Sequence, residues 1–169
     1  GTVRDDDPQL TVRDVPTTRQ PLRVVVDSRL EVPPNARILA GGNVLIAGAV
    51  KDPVRAAALA ARGAEVLTMP NAAGKVELGA LMAELARRGL NEIHVEAGFK
   101  LNGSLLAAGV VDELVIYLAP SLIGESGRGM FNLPELKDLA DRTQLAIRDV
   151  QQVGADLRIV ARFAPWTNV

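Results

Sequence analysis

The sequence contains no cysteine and a single histidine among its 169 residues. The absence of cysteine excludes a disulfide framework, a cysteine nucleophile and a cysteine-based zinc site. One histidine cannot build a multi-histidine metal centre, so we expect no bound metal. Aromatic residues make up only 3% of the chain, so the core must be built from aliphatic side chains.

The sequence also lacks an excess of charge of one sign and a long apolar run. With 19 basic and 20 acidic residues its net charge is −1, which argues against the basic face that nucleic-acid binding requires. No apolar stretch approaches the roughly 18 residues of a membrane-spanning helix, and no signal peptide is visible. We therefore expect a cytoplasmic protein that binds neither nucleic acid nor membrane.

Apolar residues are abundant enough for one globular domain, since 48% of the chain is hydrophobic and 23% is charged. Short apolar runs rich in β-branched residues predict seven strands. These runs cover residues 22–26, 44–47, 64–68, 92–96, 114–118, 143–150 and 156–163. Helical spacing with capping and stop residues predicts helices over 53–62, 78–88 and 101–109, and a helical turn within 133–139. The first twenty residues are polar and are expected to be irregular.

The order of these elements predicts the fold class. Strands and helices alternate from residue 44 to residue 118, which indicates parallel strands joined by right-handed crossovers. The last two strands are linked through Gly154 and are expected to form an antiparallel hairpin. We therefore predict an α/β fold, a mostly parallel mixed sheet flanked by helices, with an antiparallel C-terminal hairpin.

Residues 98–104, at the junction of a predicted strand and helix, are the first candidate ligand site. Glycines there let the backbone approach a ligand, and the free N–H groups of a helix N-terminus suit phosphate. Lys100 adds a positive charge. The segment is not a P-loop, because Ser104 stands where that motif needs lysine, and it is not the dinucleotide fingerprint. The alternative is a tight turn in which Ser104 or Asn102 caps the helix.

Other candidates are single residues or short runs. Glu96 ends a predicted strand at the carboxyl edge, where open α/β sheets bind ligands, whereas His94 in the same strand is expected to be structural, because nothing completes a triad. The glycine-rich residues 124–129 are expected to form a surface loop. The acidic residues 5–7, near Thr2 and Arg13, could bind sugar hydroxyls and phosphate, although adjacent aspartates more often form a solvated turn.

Four ordered segments resemble the reductase domain of the bifunctional riboflavin-biosynthesis deaminase-reductase. The first is Gly-Thr-Val at 1–3 with Asp-Asp-Pro-Gln-Leu-Thr-Val-Arg at 6–13, and the second is Pro-Leu-Arg-Val-Val-Val-Asp-Ser at 21–28. The third is Val-Glu-Ala-Gly at 95–98 with Leu101 and Ser104, and the fourth is Val-Asp-Glu-Leu at 111–114 with Ala119, Pro120 and Gly124. The resemblance spans essentially the whole chain and implies a dihydrofolate-reductase-like fold.

The resemblance implies reduction of the ribosyl group of 5-amino-6-(5-phosphoribosylamino)uracil to the ribityl product, with NADPH as cofactor. Carried over position by position, Leu10, Arg13 and Glu96 would bind substrate, with Arg13 on its phosphate. The residues that would contact NADPH are Thr2, Asp6, Ser28, Gly98, Phe99, Lys100, Leu101, Asn102, Gly103 and Ser104. Asp6 is also our candidate for the acid that protonates the substrate nitrogen as hydride reaches the neighbouring carbon.

The resemblance also carries expectations about domain organisation. Ala97 stands where the family often has a second glycine, which is tolerable if that backbone keeps a negative φ. Residues 1–169 are interpreted as a reductase domain lacking its first strand and helix. A zinc deaminase domain fused outside this chain, and a homodimer, are further implications.

Two other functions compete with this interpretation. One is a pteridine or dihydrofolate-like reductase on the same fold, which an assay of dihydrofolate against the phosphorylated ribosylaminopyrimidine would separate. The other is a non-catalytic nucleotide-binding or assembly module, which a lack of saturable NADPH binding would favour.

Overall fold

In the part of the chain that the structure describes, six apolar runs form two three-stranded sheets. The structure is a computed structural model that describes residues 2–127 and 129–163, so Gly1, Arg128 and residues 164–169 lie outside the described part. The chain divides into two units, Gly1–Ala97 and Gly98–Val169, and each unit contains one of the sheets.

The first sheet is parallel, as the alternation of strands and helices predicts. It consists of β1 (Arg23–Val26), β2 (Val44–Gly48) and β3 (Ala64–Thr68), in the order β1-β2-β3. Every residue of the central strand β2 is buried, which is typical of a parallel strand covered on both faces. The carboxyl ends of all three strands therefore meet at one edge of this sheet.

The described part of the first unit contains three α-helices, α1 (Thr2–Asp6), α2 (Pro53–Ala60) and α3 (Leu78–Arg87), and a 3₁₀ helix at Arg37–Leu39. The side chain of Asp52 caps α2 by accepting from the Arg55 backbone N–H at 3.0 Å, and a proline stands at the first position, as its sequence predicts. α3 buries Leu78, Leu81 and Leu85 on one face. The expectation of an irregular N-terminus is wrong for residues 2–6, which form α1, and is confirmed for residues 7–20, which lie in no helix or strand.

An aliphatic cluster forms the core of the first unit, as the scarcity of aromatic residues requires. Its buried members are Val25, Leu30, Val32, Ala36, Ile38, Leu39, Val44, Ile46, Leu59 and Ala64. Fully burying such a side chain contributes about 1.5–3 kcal/mol. Val3 and Leu10 pack against this cluster from the N-terminal segment, and this packing attaches the first residues of the chain to the sheet.

The second unit contains α4 (Phe99–Ala107) and an antiparallel sheet of β4 (Glu113–Leu118), β5 (Leu145–Val153) and β6 (Asp156–Phe163). The strand order is β4-β6-β5. β5 and β6 form the predicted hairpin, which turns at Gly154 with a φ of 62°. No helix of residues 2–127 and 129–163 has the length and apolarity needed to cross a bilayer.

The structure corrects three predicted elements. Residues 92–96, predicted as a strand, belong to no strand, and Ile93 and Val95 are exposed. The strand β4 was expected to continue the parallel series, but it pairs antiparallel with β6. A β-branched run supplies the propensity for a strand, but the ladder needs a neighbour that the run does not specify. The turn expected within 133–139 is a 3₁₀ turn at Leu139–Asp141, where the Asp138 carboxylate accepts from the Ala140 backbone N–H.

Candidate functional site

The N-terminal segment, residues 2–20, carries four of the predicted site residues and is fastened to the first unit. The Asp7 carboxylate accepts a hydrogen bond from the Arg37 backbone N–H at 2.8 Å. Leu10 packs against the aliphatic cluster. Asp7 and Leu10 both have positive φ angles, of 43° and 49°, a conformation that L-residues adopt at a cost when the surroundings impose it. The path of this segment is therefore defined by tertiary contacts.

Some charged side chains of this segment are held by hydrogen bonds to other parts of the chain, as Asp7 is, and others are exposed. Asp6 is exposed at the end of α1, and none of the other described residues offers its carboxylate a hydrogen bond or ion pair. Arg13 is also exposed, and its Nη1 lies 3.5 Å from the Gln9 Oε1 with no carboxylate partner in the described ranges. Thr2 is half-buried in the first turn of α1. Asp6 and Arg13 can therefore contact a ligand without breaking an ion pair.

Ser28 lies just beyond the carboxyl end of β1. Its carbonyl accepts from the Ala49 backbone N–H at 3.0 Å, and its Oγ accepts from the Val76 backbone N–H at 3.3 Å. The hydroxyl proton has no acceptor among the residues that the structure describes. Because ligands of open α/β sheets bind beyond the carboxyl ends of the strands, Ser28 is oriented at that edge with one donor to offer.

Glu96 lies in the irregular segment before α4 and has a neighbour that the sequence reasoning missed. The His94 Nε2 lies 3.5 Å from the Glu96 Oε1, and both side chains are largely exposed. Residues two apart in an extended segment point to the same side, so their spacing could have predicted this pair. The contact becomes an ion pair only when His94 is protonated.

Residues 98–104 comprise the N-cap residue of α4 and the first six residues of this helix. Gly98 is the N-cap, and no side chain of residues 2–127 and 129–163 caps this helix. The alternative in which Ser104 or Asn102 caps it is wrong, because the Ser104 Oγ donates back to the Lys100 carbonyl at 3.0 Å and the Asn102 amide donates to the Met130 carbonyl at 3.3 Å. The first turn of α4 therefore directs N–H groups outward without a side-chain acceptor.

Gly103 owes its lack of a side chain to packing within the second unit. A Cβ at this position would clash with the carbonyl oxygen of Asn132. The Asn132 backbone N–H in turn donates to the Phe99 carbonyl at 3.0 Å. This close approach accounts for a glycine at 103 without any ligand, so the assignment of Gly103 to a cofactor stays a prediction.

Residues 124–127 and 129 of the glycine-rich run are exposed and lie in no helix or strand, as the predicted surface loop requires. The Gly127 backbone N–H donates to the Gly124 carbonyl at 3.2 Å, which closes a turn. Gly129 lies against the ring of Phe99 at the start of α4. Arg128, the cation of this motif, lies outside the described residues.

A second charged cluster lies at the end of α3 and consists of Glu65, Glu84, Arg87 and Arg88. Arg88 donates to both carboxylate oxygens of Glu65, at 2.7 and 2.6 Å. Arg87 and Arg88 both donate to Glu84 at 2.8 Å. The hydrogen bonds from Arg87 and then Arg88 lower the pKa of the Glu84 carboxyl to about 2. Each of these four charges therefore already has an opposite charge as a hydrogen-bond partner.

Comparison with known proteins identifies relatives along nearly the whole chain. A model of the RibD C-terminal domain family matches residues 1–159. The riboflavin biosynthesis protein RibD of Escherichia coli (strain K12) is 38% identical over 169 residues, which is 93% of this chain and 45% of that protein. Acinetobacter baumannii RibD, form 1, has a similar structure, with a TM-score of 0.83, 30% identity, and coverage of 97% of this chain and 45% of that one.

The length of the match differs between relatives. The chain spans less than half of the RibD proteins, at 45% and 44% of their lengths. It covers 76% of a shorter relative, the 2,5-diamino-6-ribosylamino-4(3H)-pyrimidinone 5′-phosphate reductase of Archaeoglobus fulgidus, with 35% identity over 173 residues and 96% of this chain. The family match begins at the N-terminal segment and includes all the predicted site residues.

Proposed function

The chain belongs to the RibD C-terminal domain family, and on this premise we propose that residues 1–169 reduce the ribosyl group of 5-amino-6-(5-phosphoribosylamino)uracil to a ribityl group, with NADPH, in riboflavin biosynthesis. The observation that carries the proposal is the relation to a reductase of a ribosylaminopyrimidine 5′-phosphate over 76% of that protein. A second relative, from Buchnera aphidicola, is named for the proposed reaction itself.

The described residues offer donors that suit the anionic groups of a dinucleotide. None of the described side chains caps the N-terminus of α4, and such a helix end favours phosphate oxygens. Lys100 adds a positive charge in the first turn of this helix. In the first unit, Ser28 keeps its hydroxyl proton for a phosphate or ribose oxygen. A reduced nicotinamide supplies a hydride when it is bound; the protein has to supply binding and orientation.

The substrate contacts that we propose come from the first unit. Arg13 has no carboxylate partner in the described ranges, and a guanidinium binds a phosphate with two parallel hydrogen bonds. Glu96 can accept hydrogen bonds from ribose hydroxyls or ring N–H groups. Leu10, held against the aliphatic cluster, contributes an apolar surface three residues before Arg13 in the chain. These assignments give each part of the substrate a partner of matching chemistry.

Asp6 is our proposed proton donor. Reduction at C1′ of the open-chain imine form of the substrate adds a hydride to carbon, and the imine nitrogen must gain a proton as its double bond to C1′ is lost. A carboxylic acid within reach of that nitrogen supplies this proton and is recharged from solvent. Asp6 is exposed and has no partner among the described residues, so its carboxyl group is accessible both to a substrate and to protons from solvent.

The proposal is tested by incubating the protein with NADPH and either the phosphorylated ribosylaminopyrimidine or dihydrofolate. We expect oxidation of NADPH with the first substrate only, and mass spectrometry should find a product with two additional hydrogens. Oxidation of NADPH with dihydrofolate, but not with the phosphorylated ribosylaminopyrimidine, would identify a pteridine-type reductase instead. Saturable NADPH binding without turnover of either compound would point to the nucleotide-binding module.

The resemblance also predicts a homodimer and a zinc deaminase domain encoded outside this chain. Both stay predictions. Sedimentation equilibrium measures the first, and the gene sequence preceding this chain bears on the second.

A further inference from the structure

Gln20 holds the backbone of the N-terminal segment with both the oxygen and the nitrogen of its side-chain amide. Its Oε1 accepts a hydrogen bond from the Val12 backbone N–H at 2.8 Å, and its Nε2 donates to the Val12 carbonyl at 3.1 Å. One side chain thus pairs with both polar backbone groups of one residue, as a neighbouring strand would. Val12 lies between Leu10 and Arg13, two of the proposed substrate contacts.

Gln20 is itself fixed to the edge of the first sheet. The next residue, Pro21, has a restricted φ, and its carbonyl accepts from the Asn43 side-chain amide at 3.1 Å. The Arg23 backbone N–H, at the start of β1, donates to the Asn43 carbonyl at 3.2 Å. The amide of Gln20 therefore connects Val12 to the rigid parallel sheet through a short stretch of ordered chain.

Few other contacts hold this part of the segment. The hydrogen bonds of the intervening loop are local, such as the one from the Thr17 hydroxyl to the Arg19 carbonyl at 2.7 Å. Val12 is itself exposed, so apolar packing at this residue contributes little. On the other side of Val12, Leu10 is anchored in the cluster with a positive φ. Without Gln20, the chain beyond Leu10 would lose its second attachment point.

We propose that Gln20 is a positioning residue for recognition of the substrate phosphate. By fixing the backbone of Val12, it fixes the place from which the Arg13 guanidinium reaches the phosphate. A guanidinium that is already placed loses less conformational freedom when it binds. The proposal rests on the proposed function, because it takes Arg13 as the phosphate ligand.

The test is the Gln20→Ala variant, measured beside wild type for both substrates. We expect the KM for the phosphorylated ribosylaminopyrimidine to rise about tenfold, the size expected when two ordinary hydrogen bonds are lost. The KM for NADPH and the melting temperature should change little, because Gln20 is an exposed residue of the first unit. Gln20→Glu keeps an acceptor for the Val12 N–H and should restore part of the affinity.

Gln152→Ala is the matched control. Gln152 is another exposed glutamine whose amide donates to a backbone carbonyl, that of Gly154 at 3.3 Å, and its removal should leave both KM values unchanged. An unchanged substrate KM in Gln20→Ala would overturn the proposal. Equal rises in both KM values, together with a fall in the melting temperature, would overturn it as well, because they would show a merely structural role.

A binding measurement separates this proposal from the proposed reaction. Calorimetry with ribose 5-phosphate measures phosphate recognition without turnover, and amide hydrogen exchange reports directly on the Val12 N–H. Weaker ribose 5-phosphate binding and faster Val12 exchange in Gln20→Ala would support the positioning role even if wild type reduced nothing. Equal binding in the two proteins would overturn the positioning role even if wild type were an active reductase.

Discussion

The N-terminal segment and the charged cluster at the end of α3 use charged residues in opposite ways. In the cluster, Glu65, Glu84, Arg87 and Arg88 satisfy one another at 2.6–2.8 Å. In the segment, Asp6 and Arg13 have no charged partner among the described residues, while the backbone that carries them is fastened at Asp7, Leu10 and Val12. Paired charges stabilise the fold, whereas unpaired charges on a fixed backbone are available to a ligand.

The largest effect is expected at Asp6. Asp6→Asn keeps the shape of the side chain but removes its acidic proton, so we expect the single-turnover rate of hydride transfer to fall by about 10²–10⁴-fold, the usual contribution of a general acid. NADPH binding should change far less. Stopped-flow absorbance of NADPH measures the rate, and Asp5→Asn, which removes a carboxylate paired with Arg4 at 3.5 Å, is the control. An unchanged rate would remove Asp6 from the reaction.

A smaller loss is expected at Arg13. Arg13→Ala removes the proposed bidentate contact with the substrate phosphate, and a hydrogen bond to a charged group contributes about 1.5–3 kcal/mol. We therefore expect kcat/KM for the substrate to fall by one to two orders of magnitude while the KM for NADPH stays constant. Arg19→Ala, in the same exposed stretch, should behave like wild type. A loss of equal size in Arg19→Ala would mean that the substrate responds to the overall positive charge of this stretch and not to a specific contact with Arg13.

The reverse pattern is expected in the α3 cluster. Arg88→Met removes the group that bridges Glu65 and Glu84 and leaves both carboxylates without it. The melting temperature should fall, because Glu65 and Glu84 lose the hydrogen bonds that Arg88 donates. The value of kcat/KM should not change, because no predicted site residue belongs to this cluster. Differential scanning calorimetry beside the activity assay checks both statements. A loss of activity without a loss of stability would contradict the division between the two regions.

The smallest expected effect is the pH dependence of the cluster. Hydrogen bonds from Arg87 and Arg88 lower the pKa of Glu84 from 4.5 to about 2 in the folded protein. Its stabilising contribution is therefore complete above about pH 4.5 and is lost as the pH falls toward 2. Glu84→Gln should show a shallower loss of stability across this range in urea unfolding. A slope identical to that of wild type would show that this carboxylate contributes nothing there.

The sequence predicted the local elements well where one residue pattern was enough. The run around Ile46 reads as a buried strand, Asp52 and Pro53 mark the start of α2, and Gly154 marks the hairpin turn; all three are confirmed. Pairing was harder, because Val95 has strand propensity whether or not a neighbouring strand offers its backbone. The expectation of a parallel β4 was wrong for the same reason.

The candidate site shows the same division. The resemblance assigns Arg13 and Glu96 to the substrate, and their chemistry suits phosphate and hydroxyl groups; these assignments stay predictions. The hydrogen bonds that hold these residues in place cannot be predicted from the sequence. The pairing of Gln20 with Val12, for example, depends on how an exposed loop folds back over eight residues. The reason for Gly103 was also hidden, because the Asn132 carbonyl that it contacts lies far along the chain. The contacts that position the candidate residues therefore have to be taken from the tertiary structure.

Isotope transfer tests the central claim most directly. The protein is supplied with the phosphorylated ribosylaminopyrimidine and NADPH that carries deuterium at the transferable C4 position, and the product is examined by NMR and mass spectrometry. The proposed reaction places that deuterium on C1′ of a ribityl product. A ribityl product without deuterium at C1′, or an absence of product in the presence of bound NADPH, would contradict it.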